Sequence, residues 1–205
     1  MKQILATLIA AAIALSAVAA PQSFDFKDPK GVNNVVFKLD APLEAINGSA
    51  SGISGTVEFD AANPGNTRGK IVVAADSLQV PNSTMKEHMH GGQWLDVANH
   101  KEITFEARQL KDVKTAGDKT TANATGTLTI KGITKEVTVP VTITHLKDKL
   151  GARMNKPELK GDLLVIRATF NIKRTDYGIN PGAPTEKVSN EIELTLSIAG
   201  ASPQK

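Results

Sequence analysis

Glu87, His88, His90 and His100 lie close together in the sequence and are the residues best suited to hold a metal ion. Their spacing argues against it. His88 and His90 are two apart, so on a helix of 3.6 residues per turn they point about 200° from each other, whereas zinc-binding helices use an i, i+4 pair. A site would have to recruit His100 from beyond the helix end; the competing reading is a polar helix rim. Arg174, in Arg174-Thr175-Asp176-Tyr177-Gly178, has the planar fork that grips an anionic or polar head group. It could equally pair with Asp176 to hold its loop. His145 closes an apolar alternation and reads first as a satisfied residue at a barrel end.

Covalent and phosphate chemistry find little support. The chain has no cysteine. Gly52-Ile53-Ser54-Gly55 lacks the spacing of a nucleophile elbow. No glycine-rich loop leads into a lysine and a helix, as a phosphate cradle requires. Neither a cofactor nor a metal is implied. A binding role is favoured, and an enzyme acting on a lipid-like substrate or a metal centre through the His88 region is the alternative.

The elements that must position these residues are mostly strands. From Thr121 to His145 small or apolar residues alternate with polar ones: Ala122, Ala124, Gly126, Leu128 and Ile130, then Val137, Val139, Val141 and Ile143. Period two means one wet face and one buried face, as in an antiparallel sheet. Gly132 marks the turn between the two runs. Similar runs at Val35–Leu39, Gly55–Phe59, Lys70–Ala75, Ile103–Ala107, Leu164–Ile172 and Ile192–Ile198 bring the expected total to about eight strands. One helical insertion is expected over Thr84–His90, capped by Asn82 or Ser83 and ended by Gly91-Gly92. On it Met85 and Met89 share a face. Trp94, the lone tryptophan, follows in a compact turn. Asp148 to Asp162 reads as a polar loop.

An eight-stranded antiparallel barrel fits this pattern and leaves no free edges. Such a barrel is either filled by side chains or holds one small ligand. Ala122, Ala124, Gly126 and Ala168 are small, and aromatic content is only 4%, so a long narrow aliphatic lumen is expected. A two-sheet sandwich with a dry core is the competing architecture. The formal charge of +3 is scattered among acids, which argues against nucleic acid as a partner. The outward faces carry Thr, Glu, Lys and Asn, unlike the apolar band of an outer-membrane barrel.

Residues 1–19 read as a cleaved signal peptide, with Lys2, an apolar run from Ile4 to Leu15, and a small-residue site at Ala17-Val18-Ala19. The run is short for a bilayer span of ~20 residues. The expectation is a single exported domain over 20–205, placed in a bacterial periplasm.

Several stretches, in this order, resemble the YceI-like family of bacterial periplasmic lipid-binding proteins. They are Gly52–Asp60, Asn82–Asp96 with His88-Met89 and Trp94-Leu95-Asp96, Ile103-Thr104-Phe105, Gly126–Lys135, and Arg174–Ile179. Many members have an Arg-Asp pair where this chain has Met85 and Lys86. The resemblance implies a lipocalin-like antiparallel β-barrel, all-β with one short helical insertion, with a long pocket for a polyisoprenoid or isoprenoid quinone. On that basis Met85, Met89, Trp94, Phe105, Leu128, Val139, Val141 and Phe170 are the expected lining, and His88, Arg174 and Tyr177 the expected mouth. Transient contact with a membrane surface and a homodimer are compatible with this reading.

Overall fold

The computed structural model describes residues 20–204. The expected signal peptide over residues 1–19 lies outside them. The described chain forms strands β1 (Gln22–Asp25), β2 (Asn34–Asp40), β3 (Ala45–Ala50), β4 (Ile53–Phe59), β5 (Arg68–Ala74) and β6 (Leu78–Gln79). Helix α1 (Ser83–His90) comes next, then β7 (Glu102–Ala116), β8 (Lys119–Ile130) and β9 (Ile133–Leu146). Helix α2 (Leu150–Met154), β10 (Gly161–Lys173) and β11 (Glu191–Pro203) complete the order. Hydrogen bonding runs β1-β4-β5-β7-β8-β9-β10-β11 and returns to β1 through Asp25 opposite Ala201, so eight strands close a barrel. Every pairing is antiparallel; β2, β3 and β6 extend the sheet from β11 at the end that carries α1.

Local chemistry explains the main joints. Ile130 pairs with Ile133 across a two-residue turn in which Lys131 (φ 49°) and Gly132 (φ 74°) are both left-handed. This tight turn matches the right-handed twist of the strands it joins. The Asn82 side chain accepts from the Met85 N–H at 2.9 Å and caps α1. The Ser/Gly cluster after β3 is a kink, where Gly52 packs too closely on Ala74 and Ser77 to admit a Cβ.

Two local expectations are corrected. The stretch 148–162 is not wholly a loop, because α2 forms within it and ends at Asn155 in the left-handed conformation. Asn tolerates that conformation better than most residues, which makes it a helix stop. The strand expected over Ile103–Ala107 runs on to Ala116 through two irregularities in its pairing with β8. Strict alternation fails at bulges, so the period alone ended it early.

The barrel end away from α1 is closed by packed side chains. Away from α1, Phe24, Phe26, Leu164 and Ile198 are fully buried. Phe26 lies so close over Gly200 that a Cβ there would fall 2.6 Å from the ring. At the other end the strands give way to α1, the turn around Trp94, and the loop between β10 and β11.

Candidate ligand-binding bore

A cavity of about 590 Å³ runs inside the barrel from Thr67 and Leu110 at the packed end to α1 at the other. Its walls come from inward-facing residues on opposite strands, which the pleat projects to one face. Small side chains keep it open: Ala50, Ala107, Ala124 and Ala168 all border it, as does Gly69. Of the small inward residues singled out from sequence, Ala124 and Ala168 line the bore, while Ala122 and Gly126 do not.

Phe105, Leu128, Val139, Val141 and Phe170 border the middle of the bore. Met85, Met89 and Trp94 border it at the α1 end, each half-buried. His88 also borders it but is exposed, as are Glu44, Asn82 and Thr84, so the axial mouth opens between α1 and the β2–β3 turn. Most polar groups therefore gather at or just beneath the rim; the shaft is otherwise hydrocarbon except for the buried Thr67 hydroxyl at its far end, which has no hydrogen-bond partner among the described residues.

Arg174 borders the bore, but beneath the rim. Its side chain is 0% exposed. Nε donates to the Ser189 carbonyl, Nη1 to those of Ile179 and Asn180, and Nη2 to those of Ala183 and Val188. Those contacts occupy all five donors of a guanidinium, which leaves none for a head group. Asp176 is exposed and is not its partner, so the expected Arg–Asp pair does not form either. Burial pushes the Arg174 pKa below the usual guanidinium value, and the ring of carbonyls still suits the charged form. The residue is a hub that fixes residues 179–189 and so shapes the rim.

Tyr177, expected at the mouth, is 2% exposed and does not border the bore. Burial, and after it the Asp176 carboxylate, raise its pKa. The histidines near α1 go three ways. His88 faces the mouth, His90 Nε2 contacts the Leu78 carbonyl at 2.9 Å, and His100 packs under Gly132 with its Nε2 3.8 Å from Asp96. Among the described residues no three His, Asp or Glu side chains come together as a metal site.

Ile179 and Val188 also line the bore. They escaped the sequence reading because they lie in an irregular loop with no period to mark them. Ile71, Val73, Ile143, Ile166, Ile192 and Leu194 line it too, and their strand parity would have named them.

A YceI-like domain profile matches residues 28–199. The chain belongs to the YceI-like family. A UPF0312 protein of Pseudomonas paraeruginosa is 30% identical over 153 residues, covering 75% of this chain and 72% of that one. A UPF0312 protein of Yersinia pestis is 31% identical over the same span and coverage. Among solved structures, BcnA of Burkholderia cenocepacia superposes with a TM-score of 0.65 at 21% identity, covering 82% of this chain and 95% of that chain. A polyisoprenoid binding domain from Saccharophagus degradans gives 0.64 at 10% identity, covering 89% and 99%. At these identities the structural matches establish a shared YceI-type barrel.

Proposed function

We propose that this YceI-like chain is an exported binding protein that holds one long apolar molecule of isoprenoid type, a polyisoprenoid or an isoprenoid quinone, along its bore. The observation that carries the reading is the open, mostly hydrocarbon shaft of about 590 Å³, whose polar lining is Glu44, Asn82, Thr84 and His88 at the rim, Arg174 beneath it and Thr67 at the far end. Natural interiors are close-packed, with few voids larger than a water molecule. A shaft this long and this apolar is a place for a guest chain. Burying roughly 300 Å² of such a chain would contribute about 7 kcal/mol before ordering costs, so no strong polar anchor is required.

The relative from Saccharophagus degradans, a polyisoprenoid binding domain, supports the choice of ligand class. The pattern over Met1–Ala19 supports export to a periplasm. Binding is preferred to catalysis because the groups on the shaft are alkyl and aromatic and the rim histidine, His88, stands apart from His90 and His100.

The test is a fluorescence titration of the purified, delipidated protein with geranylgeraniol and with a short-chain alcohol of the same head group. Saturable binding that strengthens with chain length is expected. Equal, non-saturable response to both alcohols would overturn the proposal.

A further inference from the structure

The barrel wall is not bonded along its whole length. β9 pairs with β8 from Ile133 to Thr144, but it pairs with β10 only from Val141 to Leu146. β10 in turn pairs with β11 up to Lys173. The two strands therefore part above the Val141–Ala168 pair. Between Ile133–Pro140 on one side and Thr169–Lys173 on the other, no ladder joins them.

Pro140 explains the parting point. In a two-residue hairpin the closing pair, here Ile130 and Ile133, exchanges both hydrogen bonds, and bonded and non-bonded pairs then alternate. Pro140 and Asn123 form a non-bonded pair in that count, so the Pro140 nitrogen faces β10. Proline has no N–H to give, and the next rung, Pro140 to Thr169, cannot form fully. By the same count Thr134, Glu136 and Thr138 turn their backbone groups toward the gap. Thr169, Asn171 and Lys173 do so from β10. Among the described residues none of these six has a backbone partner on that side.

What borders the gap differs on its two sides. Inside, Val139, Phe170 and Ile172 belong to the bore. Outside, at the foot of the gap, lies an open groove of about 560 Å³, half polar and half apolar, with Asp112, Lys114, Asn123, Thr142 and Arg167 among its polar walls. Val141 and Ala168 border both spaces, so groove and bore are one residue layer apart where the strands separate. Above the gap, the β8–β9 turn, the turn before Trp94 and the β10–β11 loop are tied together. Lys131 Nζ donates to the carbonyls of Gln93 (3.1 Å) and Gly178 (3.2 Å), and Asn180 N–H donates to Gln93 at 2.9 Å. Parting those segments breaks these bonds, whereas widening the gap breaks no ladder bond.

We propose that the β9–β10 gap is a lateral portal through which the apolar chain of an amphiphilic lipid enters the bore, its polar head remaining in the outer groove. The proposal rests on the binding function above. An alkyl chain sliding sideways keeps its head group in water, while threading end-on through the rim would draw the whole chain past Glu44, Asn82 and His88.

The test uses the absence of native cysteine. Thr138→Cys and Asn171→Cys place two thiols on the exposed faces of β9 and β10, opposite each other if the ladder were continued. A short, reducible bis-maleimide then staples the folded protein. Glu136→Cys with Lys173→Cys is a second such pair should the first misfold. The probe is pyrene-labelled geranylgeraniol in phosphatidylcholine vesicles. Stapling is expected to slow its uptake roughly tenfold or more, as closing a gate does, with bound probe at equilibrium unchanged and the rate restored by reduction. Equal uptake rates with and without the staple would overturn the portal and leave the binding function standing. No bound probe in either form, at any time, would overturn the binding function and the portal together.

Discussion

His145 Nε2 lies 2.9 Å from Asp162 Oδ2 in the packed end of the barrel, with both side chains almost fully buried. The Phe24 and Phe59 rings pack edge-to-face with the imidazole, their centroids 5.7 and 5.6 Å from its own. The other Asp162 oxygen accepts the Asp148 N–H at 2.9 Å. One carboxylate thus joins the end of β9, the start of α2's loop and the start of β10, and closes the floor under the bore.

This contact predicts acid sensitivity. Burial on its own would raise the Asp162 pKa, but hydrogen bonds from the Asp148 N–H, His145 and Gln22 outweigh it, and the net shift is below the ordinary 3.8. A carboxyl with a depressed folded pKa adds stability above its unfolded pKa and loses it as pH falls through the folded value. Thermal stability should therefore fall as pH drops below about 4. Asp162→Asn should flatten that dependence and cost about 1–3 kcal/mol at neutral pH, since it leaves buried partners unmet. An unchanged acid slope in the variant would refute the assignment.

Arg174→Lys should be poorly tolerated, because an ammonium cannot reproduce a five-donor fork. With each orphaned buried acceptor costing about 1–3 kcal/mol, a loss of roughly 3 kcal/mol is expected. Hydrogen exchange should quicken over residues 178–190 before the rest of the barrel. Binding of neutral and anionic chains should weaken equally; a selective loss for anionic ligands would instead make Arg174 a head-group contact.

Ala168→Phe should separate binding from folding. The side chain projects into empty bore, so the usual cost of overpacking, about 1–3 kcal/mol, should not appear. Chain binding should fall roughly tenfold or more while Tm holds or rises. A sharp fall in Tm with binding intact would mean that the bore does not house the ligand.

Trp94 gives a direct optical report. It is the lone tryptophan and is half-buried on the bore. Its emission should shift to the blue when an aliphatic chain replaces water beside it. A ligand that binds without altering this emission does not pass the α1 end.

Much of this arrangement was legible in the residues. Alternation from Ala122 through Ile143 reports the buried face of β8 and β9, and Lys131-Gly132 reports their tight turn, because both depend on neighbours in sequence. Asn82 announces α1 for the same reason. Arg174 does border the bore, but its role is not legible in sequence, because residue type says only what a guanidinium can bind. Its actual partners are carbonyls from Ile179 to Ser189, which an irregular loop supplies without any side-chain pattern. Tyr177 was carried to the mouth by the same motif and is buried by the same loop. Pro140 was visible as a proline inside a strand, but which neighbour its missing N–H faces depends on the hairpin register.

The most direct test is mass spectrometry of organic-solvent extracts of the protein recovered from the cells that make it. Extracts of the unaltered chain should contain an isoprenoid-type lipid near one per protein, and extracts of Ala168→Phe should lack it. Lipid-free extracts from the unaltered chain, or equal amounts from both, would contradict a bore built to hold that guest.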